Sequence, residues 1–187
     1  MTRWKPDAAG RLAAAALELF EEQGYDETTV AQIAERAGLT KRTFFRHFAD
    51  KREVLFGGGH ELERVWLAGV DGAGPDLGPL AAATAGFDGV AAMFEGRHAF
   101  ARSRTAVVAA NPELQERELI KLQRLAASIA TALELRGVST NEAVLASQAG
   151  VTVFHVAFAR WIAQTDPAAF RRLLDESLAE LRTVAAA

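Results

Sequence analysis

The chain has 187 residues and a formal net charge of −3; half of it is apolar, and it contains no cysteine. That length holds one domain or two small ones with enough side chain to bury a core, and the missing thiols exclude a disulfide scaffold, a thiol nucleophile and every thiolate-ligated zinc site. The opening MTRWKPDAAG lacks the apolar run of a secretory signal, and no stretch of ~18 uninterrupted apolar residues points to a membrane span. The acidic total also argues against a nucleic-acid binder, but only if charge is spread evenly along the chain.

The apolar residues include 39 Ala and 20 Leu against 13 Val and 4 Ile. Ala and Leu lose least on entering a helix, whereas strands favour β-branched and aromatic side chains. No segment alternates apolar and polar residues, so the fold class expected is all-α, with about nine helices. In chain order they are predicted at 8–23, 29–37, 41–48, 51–69, 80–95, 98–109, 113–136, 140–164 and 167–184. Thr29 with Gln32, Asp50 with Glu53 and Ser139 with Glu142 have capping-box spacing. Asp166-Pro167 puts a cap before a proline at a first helical position, and Asn111-Pro112 marks a break before a helix resumes near Glu113. Gly24, Gly38 and Gly137 stand where helices would end. Gly69 to Pro79, rich in glycine and proline and without a cation, reads as a connection between helices.

Residues 1–55 carry the strongest signal. Leu12, Ala16, Leu19 and Phe20 share one face of the first helix, and Val30, Ile33, Ala34 and Ala37 follow the i, i+3, i+4, i+7 pattern of a short buried helix. Gly38-Leu39 then reads as a tight turn, Thr40 as the cap of a third short helix, and Phe44 and Phe48 as its inward side. Two short helices across a glycine turn, braced by another, form a helix-turn-helix unit whose second short helix can lie in the major groove of DNA. Residues 36–52 hold Arg36, Lys41, Arg42, Arg46, Lys51 and Arg52 against Asp50 alone, a local +5. The first 55 residues are neutral overall, so the remainder carries the whole −3. DNA rewards a locally basic surface, not a basic average.

Gly24-Tyr25, Thr28-Thr29-Val30, Ile33-Ala34, Ala37-Gly38, Thr43-Phe44-Phe45-Arg46-His47-Phe48 and Lys51 together resemble the DNA-binding domain of the tetracycline-repressor (TetR) family. The resemblance implies a helix-turn-helix DNA-binding domain at 1–55 and a helical effector-binding and dimerisation domain at 56–187. It implies that the helix from Thr40 enters the major groove, with Lys41, Arg42, Thr43 and Arg46 toward bases or nearby phosphates. His47 and Lys51 match phosphate-contact positions, Lys51 at the start of the fourth helix, and Thr28 or Thr29 would serve similarly at the second. Phe45 stands where the family usually has a tyrosine that touches the backbone; without the hydroxyl, apolar contact with a thymine methyl or a sugar remains. Solvated-surface roles stay open for Arg46 and Arg52, and a core role for Phe45. Arg3, Trp4 and Lys5 are either an arm toward the minor groove or a disordered start.

Beyond residue 55 the resemblance is weak in sequence. One helix-turn-helix reads only half a site, so specificity calls for a dimer. The last two helices hold Val151, Val153, Phe154, Val156, Ala157, Phe158, Trp161 and Ile162, then Phe170, Leu173, Leu174, Leu178 and Leu181. The resemblance makes them the homodimer interface, and the apolar circumference of 151–162 suits burial on two sides. Pocket candidates are Trp66, Phe87, Met93, Phe94 and Phe100, with Phe154 and Phe158 opposite; each also reads as core. Arg102 and Arg104 are candidates for an anionic head group. The spacing of 102–115 resembles actinobacterial members of the family with long hydrophobic ligands, including acyl thioesters.

No catalytic constellation is found. His60-Glu61 lacks a second histidine at 64, His98 and His155 have no partner at metal-ligand spacing, and His155 reads as packed on an apolar helix. Gly57-Gly58-Gly59 follows a helix start, not a strand, so it does not read as a phosphate loop; it reads either as a hinge between the two domains or as a kinked first turn. The expectation is a cytoplasmic, homodimeric transcriptional regulator that binds operator DNA. It is read as a repressor released by a small hydrophobic effector, with no catalysis, cofactor, metal or membrane partner. The alternative is a helical small-molecule-binding protein that does not bind DNA.

Overall fold

The computed structural model of the chain describes residues 8–165 and 169–186, and among these no strand occurs. The helices are α1 (Ala8–Gln23), α2 (Val30–Arg36), α3 (Lys41–His47), a 3-10 turn (Arg52–Leu55), α4 (Gly59–Asp71), α5 (Pro79–Thr84), α6 (Phe87–Phe94), α7 (His98–Ala110), α8 (Pro112–Leu135), α9 (Thr140–Ala163) and α10 (Phe170–Ala185). The all-α expectation holds. The Asp166-Pro167 cap and the arm at Arg3, Trp4 and Lys5 lie outside the described residues. The chain forms two units: residues up to 59 with 103–118, and residues 60–102 with 119 onward.

In the first unit, the predicted apolar faces are the ones buried. Leu12, Ala16, Leu19 and Phe20 of α1 meet Ile33 of α2 and Phe44 and Phe48 at α3, and Val54, Leu55 and Phe56 join them. Val107, Val108 and Leu114, from the end of α7 and the start of α8, complete this core. The turn between α2 and α3 places Gly38 at φ +64, a left-handed position that glycine adopts without steric cost. There the amide of Leu39 bonds back to the Ala34 carbonyl at 2.8 Å. Arg11 of α1 reaches the same helix end and donates to the Ala37 carbonyl.

The predicted helix 51–69 is broken. Asp50 accepts from the Glu53 amide at 3.0 Å and starts a single 3-10 turn, and α4 begins only at Gly59. Each glycine costs a helix about 1 kcal/mol relative to alanine, and a Cβ on Gly57 would stand 2.8 Å from Cε1 of the Phe48 ring. Gly57 therefore lets the chain run close over the end of α3, and the apolar period inferred across the triplet does not survive as one helix.

In the second unit, α9 packs against α10 and α5, around a core of Trp66, Phe87, Ile129, Leu133, Phe154, Trp161, Phe170, Leu173 and Leu174. The buried indole of Trp66 donates to the Ala83 carbonyl at 2.7 Å, so its one polar atom is satisfied. The predicted helix 80–95 divides at Ala85-Gly86. The reason is steric: a Cβ on Gly69 would lie 2.3 Å from the Gly86 Cα, and one on Gly86 would lie 2.8 Å from the Trp66 Cα. Gly69 thus belongs to α4 at a backbone crossing and not to the following loop, which is confined to 72–78. Arg136 closes that loop, donating to Val70 and Gly74 carbonyls at 3.1 and 2.8 Å.

By length and mean hydropathy (1.3), α9 is apolar enough to cross a membrane, but its buried side, including Val151, Phe154, Ala157 and Trp161, forms the core of this unit. His155 is exposed on α9 and is not packed inside the unit, because the helix turns it opposite to Phe154 and Ala157.

The crossing generates a sharp expectation. Gly69→Ala or Gly86→Ala forces backbone apart and destabilises by about 1–3 kcal/mol. Gly78→Ala, with nothing within 4 Å of the new methyl, stays within about 0.5 kcal/mol of wild type. Denaturant midpoints of the three variants check this; equal loss at all three sites would refute the crossing as the cause.

Candidate nucleic-acid interface

The start of α2 is fixed by Thr29, whose hydroxyl accepts from the Gln32 amide at 3.3 Å while the Gln32 side chain accepts from the Thr29 amide at 2.8 Å. This is the capping box expected from the spacing. Thr40 caps α3 by accepting from the Thr43 amide at 3.2 Å, and the two hydroxyls sit 3.0 Å apart. Phe44 is fully buried, and its ring centroid lies 5.4 Å from that of Phe48, which sets the inward side of α3. The helical period then turns Lys41, Arg42, Phe45 and Arg46 outward. Phe45 is 56% exposed, so the core role left open for it is not what the structure shows; its ring leans edge-on against Phe44 at 5.5 Å.

The local +5 divides by function. Arg36 pairs with Glu22 at 2.7 Å and with Glu18 at 3.4 Å, tying α2 to α1, and its hydrogen bond holds the Glu22 carboxyl below the usual range. Arg52 pairs with Asp50 at 2.7 Å. Burial pushes the Asp50 carboxyl up, but hydrogen bonds from Arg52 and the Glu53 amide outweigh it and leave the value lowered. Lys51 donates to the Tyr25 carbonyl at 2.7 Å and lies 4.0 Å above the Tyr25 ring. Among these six, what remains without a carboxylate or backbone-carbonyl partner among the described residues is Lys41, Arg42 and Arg46, all on α3, with His47 beside Arg46 at 3.5 Å.

Of the ten predicted DNA contacts, Thr40, Lys41, Arg42, Thr43, Phe45, Arg46 and His47 therefore share α3 and its cap, and Thr29 is exposed at the start of α2. Thr28 is buried; its hydroxyl donates to the Gly24 carbonyl at 2.7 Å and serves the turn after α1. Lys51 is half-buried on the backbone carbonyls just named, at the start of a four-residue turn instead of a long helix.

The pocket candidates separate. Trp66, Phe87, Phe94, Phe154 and Phe158 fall in one aromatic cluster with Trp161 and Phe170, with ring centroids 4.8–6.2 Å apart. Met93 and Phe94 are half-buried on α6, and Phe100 is 38% exposed on α7. Arg104 lies in the first unit, donating to the Leu55 carbonyl at 2.8 Å and pairing with Glu118 at 2.7 Å. These contacts, and those of Arg11, were not visible in the sequence, because nothing in local spacing pairs a cation with a carbonyl tens of residues away. Glu61 is paired with Arg64, the residue that stands where a metalloprotease helix would need a second histidine, at 2.6 Å.

Comparison with known proteins bears on both units. Residues 12–56 match the family model described as bacterial regulatory proteins, tetR family. Over 75 residues the chain is 44% identical to the HTH-type transcriptional regulator TcmR of Streptomyces glaucescens, a stretch covering 40% of this chain and 33% of that protein. The match thus spans about a third of that curated relative. In fold, a Mesorhizobium loti transcriptional regulator assigned to the TetR family superposes with a TM-score of 0.59 at 19% identity, covering 96% of this chain and 98% of that one. Thermus thermophilus FadR, a TetR-family transcriptional repressor in complex with lauroyl-CoA, superposes with a TM-score of 0.53 at 23% identity, covering 91% of each chain.

Tyr25, the single tyrosine, gives the site an optical probe. Burial, then the neighbouring charge and hydrogen bond of Glu113, push its phenol well above the usual value of 10.0. With the folded value raised, this stabilisation is complete below the unfolded pKa of about 10 and drains away as pH climbs through the folded one. Native protein at roughly pH 11 should show no tyrosinate absorbance, and the same chain in denaturant should show it in full. Tyrosinate in the native state at that pH would contradict the assigned surroundings.

Proposed function

We propose that this chain, a member of the tetR family of bacterial regulatory proteins by its N-terminal domain, is a homodimeric regulator of transcription that reads operator DNA with α3. The carrying observation is the charge division: the cations of the helix-turn-helix that face α1 or the following turn are consumed internally, and among the described residues Lys41, Arg42 and Arg46 on the outer side of α3 have no carboxylate or backbone-carbonyl partner. Backbone phosphates supply affinity, and the side chains of α3 that reach base edges supply sequence choice. Phe45, at the centre of that surface, offers a dry contact to a thymine methyl or a sugar.

Two further parts of the reading concern the second unit. On α9, Leu145, Thr152, Val156 and Ala159 form one exposed stripe, with Leu145 71% exposed. An apolar stripe on a helix whose opposite side is already buried supports pairing with a second copy, which a half-site reader needs. The aromatic cluster supports an apolar effector; the half-buried Phe94 and Phe158 are the members whose displacement costs least. The lauroyl-CoA complex of the Thermus thermophilus relative makes a fatty acyl-CoA the first effector to try. Release of DNA on effector binding makes the regulator a repressor working in the cytoplasm, with no catalytic role.

The test is binding to a duplex that the wild-type chain selects from a random pool. Lys41→Ala and Arg46→Ala should each weaken it by about 10–100-fold, the equivalent of ~1–3 kcal/mol per lost contact. Arg36→Ala should leave affinity within about threefold, since Glu22 already occupies that guanidinium. Failure of the wild-type chain to enrich any duplex at low salt would leave the helical small-molecule binder as the better reading. For the dimer, Leu145→Arg should give a monomer in sedimentation and lose operator binding; a dimeric Leu145→Arg chain would refute the α9 interface.

A further inference from the structure

The core of the DNA-reading unit is not closed by residues 8–59 alone. Val107, Val108 and Leu114 fill it, and each is buried. The polar contacts from the same stretch converge on one short piece of chain, the turn between α3 and α4. Arg104 donates from Nε to the Leu55 carbonyl at 2.8 Å, and its guanidinium lies 4.8 Å above the Phe56 ring. Glu118 holds that guanidinium from the other side at 2.7 Å. Arg117 pairs with Glu53 at 2.5 Å, and both side chains are largely shielded from water, at 29% and 17% exposure. Glu113 meets Tyr25, whose carbonyl and ring hold Lys51.

The turn is in turn fixed against the reading helix. Val54, Leu55 and Phe56 are buried with Phe44 and Phe48, and Gly57 passes so close to Phe48 that it leaves no room for a methyl group. Movement of 51–57 therefore moves the end of α3. Surface ion pairs are worth little, but a shielded pair and a guanidinium bonded to a carbonyl hold geometry more firmly.

We propose that residues 103–118 are a positioning element for DNA reading: Arg104 and Arg117 act through the turn Arg52–Leu55 to set α3 against the duplex, without touching DNA themselves. This rests on the DNA-binding reading above. Arg104 is thereby a positioning residue and not the receiver of an effector head group.

The experiment uses the full chain and the selected duplex, with Arg117→Glu, Glu53→Arg and the combined swap. Each single variant should weaken binding by at least about tenfold and flatten the salt dependence by roughly one phosphate contact, as α3 loses its register. The swap should recover affinity to within about threefold and restore the slope. Melting temperature and helical content are read alongside. If a single variant fails to fold, Arg104→Gln and Arg104→Lys replace it, the lysine binding tighter than the glutamine. Single variants that bind with wild-type affinity and slope, or a folded swap no better than the singles, overturn the proposal while the wild-type chain still binds DNA. A wild-type chain that selects no duplex overturns the DNA reading and this inference with it.

Discussion

A helix of seven residues has no stability of its own in water. Everything in the first unit is arranged to hold α3 in place despite that. Thr40 satisfies an amide at its start, Gly38 permits the reversal from α2, and Phe44 and Phe48 anchor it to α1. The position of α3 is thus set by its cap, its turn and burial on one side, which leaves the other side to carry charge without structural duty.

That separation explains why net charge misleads here. A −3 total conceals a local +5, and the +5 itself conceals two populations. Arg36, Lys51 and Arg52 each satisfy an acceptor inside the unit, so they contribute architecture and little external field. Among the described residues Lys41, Arg42 and Arg46 have no carboxylate or backbone-carbonyl partner, and their field is directed outward. A duplex responds to the second group, through counterion release, far more than to the sum.

Much of the first unit was legible from local pattern. The buried faces of α1 to α3, the Thr29 capping box and the glycine reversal all depend on residues within one or two turns of each other. Two kinds of feature were not legible. One is the tertiary partner, such as Val107 and Leu114 in the reader's core, Arg11 on the Ala37 carbonyl, or Arg104 on Leu55. The other is close backbone approach: Gly57 read as a hinge or a kinked first turn, Gly69 as the edge of a loop and Gly86 as ordinary helix, yet each is small because another atom occupies the space of its Cβ. Thr28 and His155 show the converse, since the same string could place a threonine outside or a histidine inside until packing decided otherwise.

The glycine crossings also bear on how the second unit can respond to a ligand. Where α4 meets the Ala85-Gly86 junction, backbones touch with no side chain between them, and Gly89 leaves room for the Val65 side chain. Such a contact resists shear, because any rotation drives backbone into backbone. The aromatic cluster beside it is different: Phe94 meets Phe158 and Phe170 edge-on, and Phe94 and Phe158 keep part of their surface in water. Rings of that kind can rotate at the cost of dispersion contacts, with no hydrogen bond broken. On the proposed effector reading, adaptation to an apolar guest falls to α6 and α9 through their side chains, while the α4 crossing stays a fixed reference.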